Sequence, residues 1–467
     1  MSTSSPSEPS SLVQGPIVRT LFFFSLPILL GNVLQSLNGS INAIWVGNFL
    51  GETALAATSN VNLLMFLLIS SIFGLAMASV ILIGQNLGAK RIEEAKKVVG
   101  TSIMFFFSLS IIVSILGYVA SPIILDWMNT PADAKSMAVT YSQLMFLGTP
   151  FLFGFNLVMA ILRGSGDSKT PFYFLLLSAV IDIGLNPILI RGIGPIPAMG
   201  IAGSAIATFI AQCLSFVLLV MYLYRKKYML RITKKERHLL RFDWEIIRIT
   251  IQKGVPMGLN LVVVSLSNLI LIHLVNSYGS EATAAFGVAS QISNYVQMPA
   301  MAVGGAVTSM AAQNIGAGRW DRVSRITWTG VLFNVVLTGI IVVLLHFFNR
   351  QALGLFLPSE GKAIELGMNI NNITLWSFII FGIFTVVASV IRASGAVIGP
   401  LLVSFTALLF VRNPLAIYLS HAHGFNAIWW SFPLGFAVAT TLNLLNYRFG
   451  KWKKIRLIDD STAASVS

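Results

Sequence analysis

Long apolar stretches alternate with short polar ones along nearly the whole chain. Twelve of the apolar stretches reach the ~20 residues that a helix needs to cross hydrocarbon. They fall at 20–46, 53–83, 99–121, 137–160, 171–190, 200–223, 251–275, 283–310, 326–347, 365–390, 399–420 and 426–446. The pattern predicts an all-α polytopic membrane protein with twelve transmembrane helices. The polar remainder predicts a Ser/Pro-rich disordered tail over 1–16, a basic linker over 225–250 and a second tail over 448–467. The lobes between them are 17–224 and 251–447.

Composition agrees with the pattern. Of 467 residues, 55% are hydrophobic and 10% charged, where soluble domains carry about 25% charged residues. The net charge of +14 would suit nucleic acid if the charge were spread over a soluble surface. Instead most lysines and arginines fall in alternate connectors, as cytoplasmic loops do. That placement predicts a plasma (inner) membrane protein with both termini in the cytoplasm and no nucleic-acid partner; a monomer is expected. The first apolar run is too long for a signal-peptide core. Cys213, the single cysteine, excludes an internal disulfide, and His238, His273, His346, His421 and His423 show no metal-ligand spacing.

The chain repeats itself. GQNLGAKRIEEAKKV from Gly84 resembles AQNIGAGRWDRVSRI from Ala312, and RGSGDSKTP at Arg163–Pro171 resembles RASGAVIGP at Arg392–Pro400. Pro27 matches Pro256 and Asn186-Pro187 matches Asn413-Pro414, all about 228 residues apart. Each half holds six spans, an even number, so both enter the membrane with the same polarity. Two six-helix bundles related by a pseudo-two-fold axis along the membrane normal follow, with a cleft suited to alternating access.

Asp182 is the one acid deep within a span. Ionisable groups at that depth are costly and mark ion or proton paths; the plainer alternative is an aspartate hydrogen-bonded for packing. Asn186 lies four residues on, hence on the same helical face. Pro187 frees the carbonyl of Ile183, and Pro27, Pro256 and Pro414 are the other expected helix breaks. Gln35, Asn38 and Asn42 of the first span form a polar wall opposite Asp182. Asn62 and Gln291 hold matched repeat positions, and Gln291, Asn294 and Tyr295 share one face; they contact substrate or bond neighbouring helices. Arg412 either snorkels outward, the favoured reading, or lines the cavity.

The GQNLGA and AQNIGA segments, the RGSGDSKTP loop and the Asn-Pro of span 5, in this order and repeated over the whole chain, resemble the multidrug and toxic compound extrusion (MATE) family. The resemblance implies export of cationic or amphipathic small molecules in exchange for protons, or for sodium. Where many members place an acid directly before the proline, this chain has Asn186, with the acid one turn earlier at Asp182. Where a second acid is common in span 1, this chain has Asn42. Spans 7 and 10 hold no acid in their interior, Glu365 standing at the very start of span 10, so coupling is assigned to the first lobe, through Asp182, Asn186 and Asn42. No cofactor is expected. No Walker spacing accompanies the glycine-rich loops, and no paired catalytic constellation is visible, so neither ATP use nor an enzyme is expected. A flippase of lipid-linked precursors and a sodium-coupled exporter are the alternatives.

Overall fold

Backbone amides and carbonyls in hydrocarbon have no water to bond, so a chain this apolar satisfies them within its own helices. The computed structural model, which describes residues 12–192, 194, 197–357, 361–455 and 457, contains no strand among those residues. The helices are α1 (Ile17–Leu50), α2 (Glu52–Gly88), α3 (Ile92–Trp127), α4 (Ala132–Leu147), α5 (Thr149–Gly164), α6 (Lys169–Arg191) and α7 (Gly200–Arg225) in the first half. The second half contributes α8 (Trp244–Asn276), α9 (Ser280–Gly316), α10 (Trp320–Phe347), the short α11 (Asn349–Gly354), α12 (Lys362–Ala393), α13 (Ile398–Phe405), α14 (Asn413–His423) and α15 (Ser431–Phe449). Eleven of the twelve predicted spans lie inside a continuous helical segment, and the span 137–160 runs across the break between α4 and α5.

Among the described residues, ten helices are long and apolar enough to cross a membrane, and the pair α4–α5, bent by 48°, makes an eleventh. The bend falls at Gly148-Thr149-Pro150, where the proline sits in the first turn of α5, a position that suits its missing amide. Helix α9 supplies the twelfth span. At 37 residues it is long enough, yet its composition is more polar. Packing explains the difference: a Cβ at Gly304 would lie 3.0 Å from Ser389 and Thr385 of α12, and one at Gly330 of α10 would lie 2.9 Å from Val307 of α9. Small residues let these backbones approach closely, and Ala300 to Ala312 of α9 is almost wholly buried.

The chain divides into two compact units, Leu30–Gly254 and the described residues up to Leu29 together with Val255 onward. In this division the first turns of α1 group with the second unit and the first turns of α8 with the first. Of the expected breaks, Pro27, Pro187 and Pro256 lie inside uninterrupted helices. Only Pro414 marks a change of backbone, beginning α14 after a π-helical segment, Thr406–Arg412.

The first unit packs α2 against α4 and α5, and α6 along α7. Val61, Met65, Leu125, Tyr141, Phe146 and Ile190 belong to its core. At the α6–α7 seam a Cβ on Gly203 would stand 2.4 Å from the Leu189 carbonyl oxygen, so only glycine permits that approach. The second unit is built on α9 and α12, with α10 and α15 beside them, and buries Trp429 stacked on Phe286 at 5.4 Å.

The first polar segment differs from expectation. Of the expected tail, residues 1–11 lie outside the described residues, as do 456 and 458–467 of the C-terminal one. Leu12 is buried, its amide donates to Gln313 Oε1 at 3.2 Å, and its carbonyl accepts from Asn314 Nδ2 at 3.1 Å. The basic linker is folded onto α3. It makes a 3-10 turn at Lys234–Leu239, with Glu236 paired to Lys96 at 2.5 Å and Asp243 to Lys97 at 3.1 Å. The Lys96 hydrogen bond, followed by those from the Thr233 amide and hydroxyl, holds the Glu236 carboxyl down at about 2. Burial pushes the Asp243 carboxyl up, but Lys97 and the amides of Ile246 and Glu245 outweigh it and keep it below the usual range.

Candidate functional site

Two i, i+4 pairs meet across the α1–α6 seam of the first unit. Asn38 and Asn42 project from one face of α1, and Asp182 and Asn186 from one face of α6, because residues four apart lie one above the other. Asn38 Nδ2 and Asn42 Nδ2 donate to Asp182 Oδ2 at 2.8 and 2.7 Å. The other oxygen, Oδ1, accepts from Asn186 Nδ2 at 3.1 Å and from Thr208 Oγ1 at 3.0 Å. Asn186 Nδ2 also reaches Asn42 Oδ1 at 3.2 Å. Asp182 is 2% exposed and Asn186 fully buried.

No lysine, arginine or histidine among the described residues pairs with Asp182. Arg191, at the end of the same helix, instead lies over the Phe49 ring at 3.7 Å. The carboxylate is therefore held by four neutral donors. Two amide oxygens of the shell, Asn38 Oδ1 and Asn186 Oδ1, are buried without a partner. A side-chain amide that turns over presents oxygen where it presented N–H, and a threonine hydroxyl both donates and accepts. The observed shell serves the bare carboxylate through its donors, and its chemistry would suit two other occupants, the protonated acid through an amide oxygen and a small cation through an all-oxygen set. Oxygen ligands are those that hard cations take.

Thr208 is the member of this shell that the sequence does not announce. Gln35 is exposed and makes no bond to the carboxylate. Asn62 is exposed on α2, and Asn294 is exposed on α9 with Gln291 and Tyr295 half-buried; none of these joins a polar cluster. An open pocket of about 570 Å³ bordered by Ile17, Asp321, Arg325 and Trp328 shares no residue with the Asp182 shell.

The second unit has its own polar cluster at the matched place. Arg412 does not snorkel, which corrects the favoured reading: it is 3% exposed. Its Nη2 donates to Ser267 Oγ at 2.7 Å and to Asn268 Oδ1 at 2.9 Å. The Ser267 hydroxyl donates in turn to Asn413 Oδ1 at 2.9 Å, and the guanidinium lies 4.9 Å from the Phe432 ring centre. A Cβ at Gly435 would come within 2.9 Å of the Arg412 stem, so the missing side chain makes the room in which the arginine is buried.

A twelve-span helical chain with one shielded carboxylate at membrane depth and no clustered metal ligands among the described residues defines a membrane transporter. The protein-family model MatE matches it twice, over residues 27–188 and 256–418, which reproduces the internal repeat. The chain belongs to the MATE transporter family. It is 40% identical over 438 residues to the probable multidrug resistance protein YoeA of Bacillus subtilis, covering 93% of this chain and 94% of that one. It is 24% identical over 423 residues to the FAD transporter of Shewanella oneidensis, covering 91% and 92%. Among solved structures it is similar to a MATE protein in complex with MaL6 (TM-score 0.88, 20% identity, 96% and 100% covered). An outward-facing MATE-family multidrug resistance transporter matches with TM-score 0.88 at 20% identity, 97% and 100% covered. These likenesses show the fold.

Proposed function

We propose that the chain is a secondary active exporter of amphipathic organic compounds, working by alternating access, in which a proton binding at Asp182 drives the cycle. The carrying observation is the Asp182 shell: a buried carboxylate with no cationic partner, in surroundings that serve it with and without a proton. Asn38, Asn42, Asn186 and Thr208 keep the charge tolerable between protonation events. Relatives named as multidrug resistance proteins support export of many compounds, while the relative named as an FAD transporter shows that the likeness does not fix the sign of substrate charge. In this reading the protein acts without ATP, as a monomer in the plasma (inner) membrane with both termini in the cytoplasm.

The test is efflux of a fluorescent organic cation from proteoliposomes under an imposed pH gradient, wild type against Asp182→Asn. The expected result is gradient-driven efflux in the wild type and none above empty liposomes in the variant. Equal rates in both would remove Asp182 from coupling. A sodium-coupled reading is favoured by one observation, the unpartnered oxygens of Asn38 and Asn186; efflux that follows a sodium gradient at fixed pH selects it.

A further inference from the structure

The Arg412 cluster has no part in the coupling scheme, and its unmet groups are all of one kind. Arg412 Nε and Asn413 Nδ2 are buried without an acceptor, although both side chains are only 3% exposed. Both belong to one bonded group, because Ser267 accepts from Arg412 and donates to Asn413. No aspartate or glutamate among the described residues pairs with the guanidinium. A buried charge without a counter-ion is costly, and so is a buried donor left unbonded. A water molecule would satisfy the donors and leave the charge. Only an acceptor that carries negative charge satisfies both.

The cluster is also held in shape from outside itself. Gly435 makes room for the stem, Phe432 lies against the guanidinium, and Asn268, on the exposed face of α8, holds its outer edge. Arginine's fixed fork of donors matches a carboxylate or phosphate, and the asparagine amide adds a neutral donor beside it.

We propose that Arg412 and Asn413 form a receptor for one anionic group, a carboxylate or phosphate carried by the transported compound, so that the exporter accepts zwitterionic and acidic amphiphiles as well as cations. The proposal rests on the export reading for the source of the anion, and the test is built on binding so that the two fail separately.

A rhodamine free acid, which is a zwitterion, and its ethyl ester, a cation of nearly the same shape, are titrated against the purified full-length protein in detergent. The buffer is gluconate, with chloride substituted in a second arm. Arg412→Gln is expected to weaken the free acid about tenfold and to leave the ester within about twofold, the size of one charge-assisted hydrogen bond. Arg412→Lys is expected to recover part of the loss. Equal weakening of both dyes, or of neither, overturns the proposal. Saturable displacement of the acid by chloride assigns the site to a free halide and overturns it too. Should the glutamine variant not fold, the wild type decides: binding the ester more than about tenfold tighter than the acid contradicts an anion receptor.

Discussion

Asp182 in the first unit and Arg412 in the second occupy the same stretch of the internal repeat with opposite charge. Each sits beside an asparagine that precedes a proline, Asn186 or Asn413. Each is bonded by the first helix of its half, through Asn38 in one and Ser267 in the other, at matched positions. The surrounding groups are oriented to the charge they hold. Around the carboxylate, three amides and a hydroxyl point N–H or O–H inward; around the guanidinium, a hydroxyl and an amide offer oxygen. Duplication has kept a polar notch at an Asn-Pro site, and the occupant decides which way neutral dipoles turn. The clusters are unequal in completeness, because the carboxylate has four donors and the guanidinium two acceptors with an Nε unmet.

That inequality is easiest to break at its centre. Asp182→Leu strands the Asn38 and Asn42 amides and the Thr208 hydroxyl, at about 1–3 kcal/mol for each that stays dry, while Asn186 keeps its bond to Asn42 Oδ1; Arg412→Leu leaves only the buried Ser267 and the exposed Asn268 without their donor. Thermal unfolding in detergent is expected to drop further for Asp182→Leu, and the reverse order would mean that the guanidinium cluster is the more tightly built. Next in size are the two glycines. Gly203→Ala drives a methyl into the Leu189 backbone, which cannot step aside, and moves α7 with Thr208 relative to α6. Gly435→Ala meets the Arg412 Cβ less closely, at 2.9 Å against the 2.4 Å at Gly203, so we expect a cost of about 1–3 kcal/mol for the former and about 1 kcal/mol for the latter. Unfolding midpoints check the order, and a coupling defect confined to Gly203→Ala would tie Thr208 to the carboxylate's task.

Leu409 occupies the position that matches Asp182. Leu409→Asp in the wild type gives Arg412 a carboxylate within a turn and is expected to be nearly neutral, while in an Arg412→Leu background it buries a lone charge. A double-mutant cycle should therefore show coupling of about 1–3 kcal/mol; no coupling would separate residue 409 from the cluster. The smallest effect concerns the linker latch, an ion-paired strap on the first unit. Glu236 sits at about 2 against an ordinary 4.5, so its contribution is complete above pH 4.5 and is lost as pH falls from there toward 2. Hydrogen exchange of the linker should differ between wild type and Glu236→Gln at neutral pH and converge under acid; a constant difference would point away from the Lys96 pair.

Much of this was legible in the sequence for definite reasons. The spans could be read because hydrocarbon leaves the backbone no alternative to helix, and Asp182 because charge at depth is rare. Asn38 and Asn42 could be read because their spacing of four matches that of Asp182 and Asn186. Thr208 could not: hydroxyls are common in membrane helices, and its role depends on how closely α7 approaches α6 at Gly203. Arg412 was misread because snorkelling depends on what surrounds the stem, and the notch at Gly435 is made by another helix. The fold of the linker could not be read, because a charge run does not say that Lys96 and Lys97 wait on α3 for its acids. The bend at Gly148-Thr149-Pro150 was written plainly in the chain, but the hydropathy pattern alone runs straight across it.

The unit boundaries carry a last consequence, for biogenesis. Among the described residues the polypeptide passes between the units twice, between Leu29 and Leu30 and between Gly254 and Val255, each time within a long helix and within three residues of a proline. When the ribosome has finished α7, the first unit still lacks Trp244–Gly254, and the opening turns of α1 have been made long before the helices they pack with. Neither half can close as a finished domain while the other is being synthesised. A gene cut in the linker would leave each fragment with a segment that groups with the other's compact unit.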